Sequence, residues 1–251
     1  MEEYVWNPNF ENLDLFPHHI YNNFGLIYHG TSTIYSDDIE NNGFRINHLP
    51  FPIEGLREII NLLADLGEPS DYMPNDFQFN FNHAGAIEHY LASSHDISFT
   101  ISGYPALKFA SGSSKGGQIV GKIKNALNRI RALINLLLNE NPIELIRRLE
   151  RIEHIDNECN DISNAQGVIY VIRPSMEIME QLYTDHKVVF SREAIPVESI
   201  IAKLTVDANF VLPENFKNQS ENIINTHFSK PQTIGFHFYK KQMGYDDTED
   251  N

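Results

Sequence analysis

The stretch Leu26-Ile27-Tyr28-His29-Gly30-Thr31-Ser32 decides how this chain is read. Leu26, Ile27 and Tyr28 are a short apolar run of strand-favouring residues. His29-Gly30-Thr31-Ser32 reads as the turn that stops it, because glycine and small hydroxyl residues suit a bend. Ser36 then precedes Asp37 and Asp38, whose charges favour the first turn of a helix. Gly43 stands where that helix needs a terminal residue able to take positive φ. With Phe44-Arg45-Ile46 starting the next extended segment, the predicted unit is strand, turn, short acidic helix, strand.

Working outward, Leu56, Ile59, Ile60, Leu63 and Leu66 recur at helical spacing before Gly67 and Pro69. Phe77, Phe79 and Phe81 alternate with polar residues as on a strand with one aromatic face. Ala84 to Leu91 suits a helix, and Ile97-Ser98-Phe99-Thr100-Ile101 a strand. The longest unbroken 3.6-residue period runs through Ile119, Ile123, Ala126, Leu127, Ile130, Leu133, Ile134 and Leu137. Asn141 and Pro142 then open a second helix carrying Ile143, Leu145, Ile146, Leu149 and Ile152. After this helical hairpin come strands at Gly167 to Ile172, Lys187 to Phe190 and Ile200 to Val206, with Met176 to Tyr183 as a short helix or structured loop. The order implies an α+β fold. It makes one domain over residues 1–251, with a helical insertion at about 113–160 and a disordered acidic tail at about 245–251.

Acidic residues outnumber Lys plus Arg 34 to 19, a formal charge of −15. That argues against nucleic-acid binding, which needs a positive footprint to release counterions. Eight basic residues lie in or beside the hairpin: Lys115, Lys122, Lys124, Arg129, Arg131, Arg147, Arg148 and Arg151. They read as a solvated face, or alternatively as a docking surface for an acidic partner. The single cysteine, Cys159, excludes an intrachain disulfide framework and fits a reducing compartment. The eleven histidines lack ligand spacing, so no metal is expected. No run of 18 apolar residues and no classical secretory signal appear. A cytoplasmic location is expected, including that of a bacterial effector delivered into a host cell.

There is no phosphate-binding loop, no dinucleotide glycine fingerprint, no zinc-protease motif and no nucleophile elbow. What the chain has is an ordered series. Tyr28-His29-Gly30-Thr31-Ser32 is followed by a helix ending Asn41-Asn42-Gly43-Phe44, then Ile97-Ser98-Phe99-Thr100 and Ala106-Leu107-Lys108-Phe109-Ala110. Gly167-Val168-Ile169-Tyr170-Val171-Ile172 comes next, and Val188-Val189-Phe190-Ser191-Arg192-Glu193-Ala194-Ile195-Pro196-Val197-Glu198-Ser199-Ile200 closes it. This series resembles the ADP-ribosyltransferase superfamily, in the branch whose first motif is His-Gly-Thr or His-Gly-Ser. That branch holds the poly(ADP-ribose) polymerase-like and diphtheria-toxin-like enzymes. The resemblance covers about half the chain, in separated pieces.

It implies a split β-sheet core and an NAD-dependent mono-ADP-ribosyltransferase, a glycosyltransferase acting on a protein acceptor. NAD would be the substrate, with no metal. Cleaving the nicotinamide–ribose bond builds positive charge on the ribose, as in glycoside hydrolysis, so the site must grip the ring, hold the ribose and offer a carboxylate. By the resemblance, Gly30 offers its backbone amide and carbonyl to the carboxamide, and its missing side chain permits that approach. His29 bonds a ribose hydroxyl and Thr31 supports the turn. Ser98 falls where polymerase-like members have a tyrosine, and Phe109 where they stack a second aromatic on nicotinamide.

The third motif departs from the pattern. Strict alignment puts His186 at the position of the catalytic glutamate, and no Glu-x-Glu or Gln-x-Glu triplet lies there. The neighbouring carboxylates are Asp185, one residue off register, and Glu193, just past the strand. A protein acceptor would dock around Met176 to Tyr183 or on the helical hairpin. Two alternatives share the scaffold: a catalytically degenerate binding or interaction module, and a relative of RNA 2′-phosphotransferases.

Overall fold

β-forming and helical segments alternate along the computed structural model, which describes residues 1–6, 15–21, 23, 25–46, 51–65, 83–92, 96–101, 103–112, 115–137, 142–185 and 188–210. In chain order the elements are β1 (Glu2–Val5), α1 (His18–Tyr21), β2 (Ile27–Ser32), α2 (Ser36–Asn42), α3 (Ile53–Asp65), α4 (His83–Ala92), β3 (Ile97–Thr100) and α5 (Gly103–Phe109). They continue with α6 (Gln118–Leu137), α7 (Pro142–Asn164), β4 (Gly167–Ile172), α8 (Met176–Gln181), β5 (Leu182–Asp185), β6 (Val188–Ser191) and β7 (Ile200–Val206). The fold is α+β, as expected. Phe77, Phe79 and Phe81, His186 and the tail at 245–251 lie outside the described residues.

The chain divides into two compact units. One comprises Met1–Asn47, Asp96–Gly117 and Ser163–Asn251; the other, His48–His95 and Gln118–Ile162. The first unit is built on a seven-stranded sheet in the order β1-β7-β4-β2-β3-β6-β5. β1 runs parallel to β7 and every other pairing is antiparallel. β2 and β4 pair over six residues, from Ile27↔Ile172 to Ser32↔Gly167, and β3 and β6 over four. β2 and β3, in contrast, share one registered pair among the described residues, Tyr28↔Thr100. Among the described residues β2 and β3 are therefore the least extensively paired neighbours of the sheet.

Alternation sends side chains to two faces. Ile27, Phe99, Val168, Tyr170, Ile172 and Val189 share one face with Ile39 and Phe44; Tyr28, Ile169, Val171, Ala202 and Leu204 share the other with Ala106, Leu107 and Ala110 of α5. On the first face Glu40 of α2 lies 3.0 Å from the Tyr170 hydroxyl and takes both its oxygens to Lys203 Nζ at 3.0 Å, pinning the helix to β4 and β7.

Gly30 is strand, not turn. The expected turn at His29 to Ser32 is corrected by the continuous pairing of β2 with β4 through Ser32. The glycine is there for packing. An ideal Cβ on Gly30 would sit 1.8 Å from the Ala106 carbonyl oxygen, and one on Gly167 would sit 1.7 Å from that of Ala110. Two glycines on neighbouring strands thus let α5 lie with its backbone on the sheet. The true stop comes after Ser32, whose Oγ accepts from the Ile34 N–H and opens the 3-10 turn Thr33–Tyr35. α2 ends as expected at Gly43, with φ of 71° and its N–H bonded to the Ile39 carbonyl.

Lys115 is a second correction. Read as part of a solvated basic face, it is 1% exposed. Its Nζ donates to the carbonyls of Ser163 (2.9 Å), Ala165 (2.5 Å) and Ala208 (3.0 Å). A cation there meets the carbonyls left open where α7 ends, so burial is offset by three charge-assisted bonds.

The second unit holds α3, α4, α6 and most of α7. The predicted apolar faces bury on α3 (Leu56, Ile59 and Leu63) and α6 (Ile123, Ala126, Leu127 and Ile130), but on α7 only Ile152 of the predicted face is buried: Ile143 and Ile146 are exposed, and the buried stripe runs on through Ile155, Cys159 and Ile162. Arg148 of α7 reaches Glu58 at 2.8 Å and also Asp65, both on α3, and Arg131 of α6 pairs with Asp156 of α7. Cys159 is buried, and burial, then Asp156, pushes its thiol up to about 12. It is an inert core residue.

Candidate functional site

His29 sits where β2 leaves β3. Its Nδ1 is 2.9 Å from the Ser98 carbonyl oxygen, across the gap that opens beyond the Tyr28↔Thr100 pair. A carbonyl only accepts, so Nδ1 carries the proton and the neutral ring keeps Nε2 as an acceptor. The ring is half-buried, edge-on to Phe44 at 4.9 Å and to Phe99 at 5.6 Å. That apolar setting lowers its pKa by disfavouring the charged form, against the opposing pull of the Ser98 bond.

Backbone direction decides what Gly30 can do. The Thr33 N–H donates to the Gln166 carbonyl before β4, at 2.9 Å. The N–H and C=O of alternate residues point to the same side of a strand. Odd-numbered residues of β2 therefore face β4, and the even-numbered Tyr28 and Gly30 face the β3 side. The Tyr28 carbonyl does accept from the Thr100 hydroxyl of β3, at 3.4 Å. Gly30 consequently aims a donor and an acceptor into the opening that His29 spans. Thr31, 4% exposed, lies opposite Val168 within the ladder and supports β2 as a strand residue.

Pieces far apart in sequence meet around this histidine. Phe44 and Ile195 exchange backbone bonds, Phe44 N–H to Ile195 carbonyl at 2.8 Å and the reverse at 2.9 Å. Gly43 permits it, since a Cβ there would lie 2.2 Å from the Ile195 oxygen. The Phe44 and Ser98-Phe99 segments thus meet at His29, and Ile195-Pro196 backs the Gly43-Phe44 segment.

Other expected site residues stand apart. Phe109, half-buried, ends α5 on the sheet face opposite the one that takes the His29 ring. Ser98 is exposed, and its carbonyl rather than its side chain meets His29. Glu193 is an exposed residue past β6, its backbone fixed by Ser191, whose Oγ accepts from its N–H (3.3 Å) and donates to its carbonyl (2.7 Å). Asp185 closes β5 opposite Val188. Phe44 and Phe99, to which the sequence reading gave no site role, both lie against the imidazole, and Phe99 is at the same time a fully buried core residue. The sequence reading also missed the stacked pair Tyr183 and Phe190, with ring centroids 5.2 Å apart on the rung that includes Ser98.

Among the described residues no three His, Cys, Asp or Glu side chains are grouped to hold a metal ion, and no helix is long and apolar enough to cross a membrane. Compared with protein-family models, curated proteins and solved structures, the chain matches none.

Proposed function

We propose that the chain is an ADP-ribosyltransferase-like protein that grips NAD by its nicotinamide end between β2 and β3 and transfers ADP-ribose to a protein acceptor. The observation that carries this reading is the junction of β2 and β3, one registered pair among the described residues, with His29 and the backbone of Gly30 at its opening. A carboxamide needs one acceptor and one donor side by side, which Gly30 offers. A ribose hydroxyl needs an acceptor, which the Nδ1-protonated tautomer leaves at Nε2. The contact of Phe44 and Phe99 with the same histidine, and the bridge from Phe44 to Ile195, support the motif series as one site.

When bound, NAD supplies a glycosidic bond whose cleavage releases nicotinamide. The chain contributes positioning, and a carboxylate near the ribose stabilises developing positive charge. Asp185 and Glu193 are the candidates, with the protein acceptor docking around Met176 to Tyr183 or on the helical hairpin. The fold is read as a split ADP-ribosyltransferase-type sheet, consistent with the sparse pairing of β2 with β3.

The test is thermal stability with NAD, followed by nicotinamide release. At about 100 times its dissociation constant NAD adds roughly 2.7 kcal/mol of stability. His29→Ala removes that shift. Asp185→Asn and Glu193→Gln keep it, and one of them stops nicotinamide release. An unchanged Tm at millimolar NAD overturns the reading; a shift without turnover reduces it to a binding module.

A further inference from the structure

We propose that the stacked rings of Tyr183 and Phe190 form a seat for an arginine side chain of a partner protein, a place held in the free chain by Arg192. β5 and β6 put the two residues directly opposite each other, with ring planes 21° apart. The Arg192 guanidinium lies over Tyr183, 4.8 Å from the ring centroid. Arg192 is exposed at the end of β6, and both rings are half-buried. Arg192, which also meets the Tyr183 side chain by a hydrogen bond, therefore shows what the seat accepts.

The chemistry selects a cation. An aromatic face is the negative pole of its quadrupole, and a planar guanidinium stacks on it better than an ammonium does. The Tyr183 hydroxyl donates to the Asp96 carboxylate, which places negative charge at the ring edge. That bond, with burial as the next cause, raises the phenol pKa, while Arg192 opposes it. Glu193 is exposed immediately beyond Arg192, and the whole chain carries −15. Basic segments are drawn to a chain of net negative charge, and an arginine on one finds a ring already arranged for it beside Asp96 and Glu193. The seat goes beyond the proposed function and stands on its own geometry: the rings share the Ser98 rung, on the sheet face opposite the one that takes the His29 ring.

The experiment uses the full chain without NAD and a fluorescent peptide of Gly and Ser bearing one central arginine, alongside citrulline and lysine twins. The arginine peptide binds, the lysine twin more weakly, and the citrulline twin, which keeps the shape without the charge, does not. Arg192→Gln removes the internal competitor and strengthens binding about two- to fivefold. Tyr183→Leu abolishes it. Tyr183→Phe, which keeps the ring and loses the Asp96 bond, weakens it without disturbing the fold. Equal binding of arginine and citrulline peptides, or an Arg192→Gln variant that binds no better, overturns the proposal. NAD binding measured separately keeps the two readings distinct, since either can fail while the other holds.

Discussion

Gly30→Ala and Gly167→Ala probe the account at its most structural point. Both glycines lie in strands, and neither has positive φ, so alanine suits the backbone at each. Stiffening the unfolded chain would by itself favour alanine by about 0.4–1 kcal/mol. Against that stand Cβ positions 1.8 and 1.7 Å from backbone carbonyl oxygens of α5. A carbon and a carbonyl oxygen settle at about 3.3 Å, so α5 must lift by roughly 1.5 Å. A backbone carbonyl cannot rotate aside as a side chain can, which puts the cost near the upper end of about 1–3 kcal/mol for overpacking. The net loss is about 2 kcal/mol for each variant, or roughly 4–8 °C in Tm for a chain of this size. Urea titration followed by circular dichroism measures it as a lower midpoint at unchanged slope. If Gly30 mattered only as a ligand contact, Gly30→Ala would lose NAD with no loss of stability and Gly167→Ala would be silent. Alanine tolerated at either position within about 0.5 kcal/mol refutes the seating of α5.

Three further outcomes follow from the same packing. Lys115→Met leaves three part-buried carbonyls without this donor and costs about 3 kcal/mol, roughly 1 per carbonyl, in the same urea assay; a loss below about 1 kcal/mol contradicts the buried-cation account. Burial lowers the His29 pKa in the folded state, so the unfolded chain binds that proton more readily and the histidine costs stability as pH falls through about 6.5. The stability difference between wild type and His29→Gln therefore shrinks on acidification, and a difference that grows refutes the sign. Cys159, held in a buried site with a raised pKa, resists iodoacetamide at pH 8 until the protein unfolds, and rapid labelling of the native protein contradicts its burial.

Sequence periodicity located α3 and α6 because each buries one stripe, and β4 and β7 because their apolar residues form the middle of a sheet; on α7 the predicted Ile143 and Ile146 are exposed and the stripe that buries begins at Ile152. Its failures have physical reasons too. Gly30 signals a bend when only neighbours in sequence are considered, yet its constraint comes from Ala106, 76 positions on. β1 escaped notice because Glu2-Glu3-Tyr4-Val5 sits at a sheet edge with three of its four residues exposed, so no alternation is imposed. β5 was merged into a helix or loop because four residues, Leu182–Asp185, are too few to show a period. Lys115 looked solvated because its three partners are backbone carbonyls, which no sequence displays. The histidine was legible, but its tautomer and the direction of the Gly30 amide are properties of strand pairing.

Amide-resolved NMR during titration with NAD addresses the central claim most directly, because Gly30 N–H and the Ser98–His29 link lie at the mouth of the opening. The account predicts that the Gly30 and Ser98 amides shift most, saturating with the rise in Tm, and that His29→Ala removes both responses. NAD that binds while leaving those two amides unmoved would contradict it.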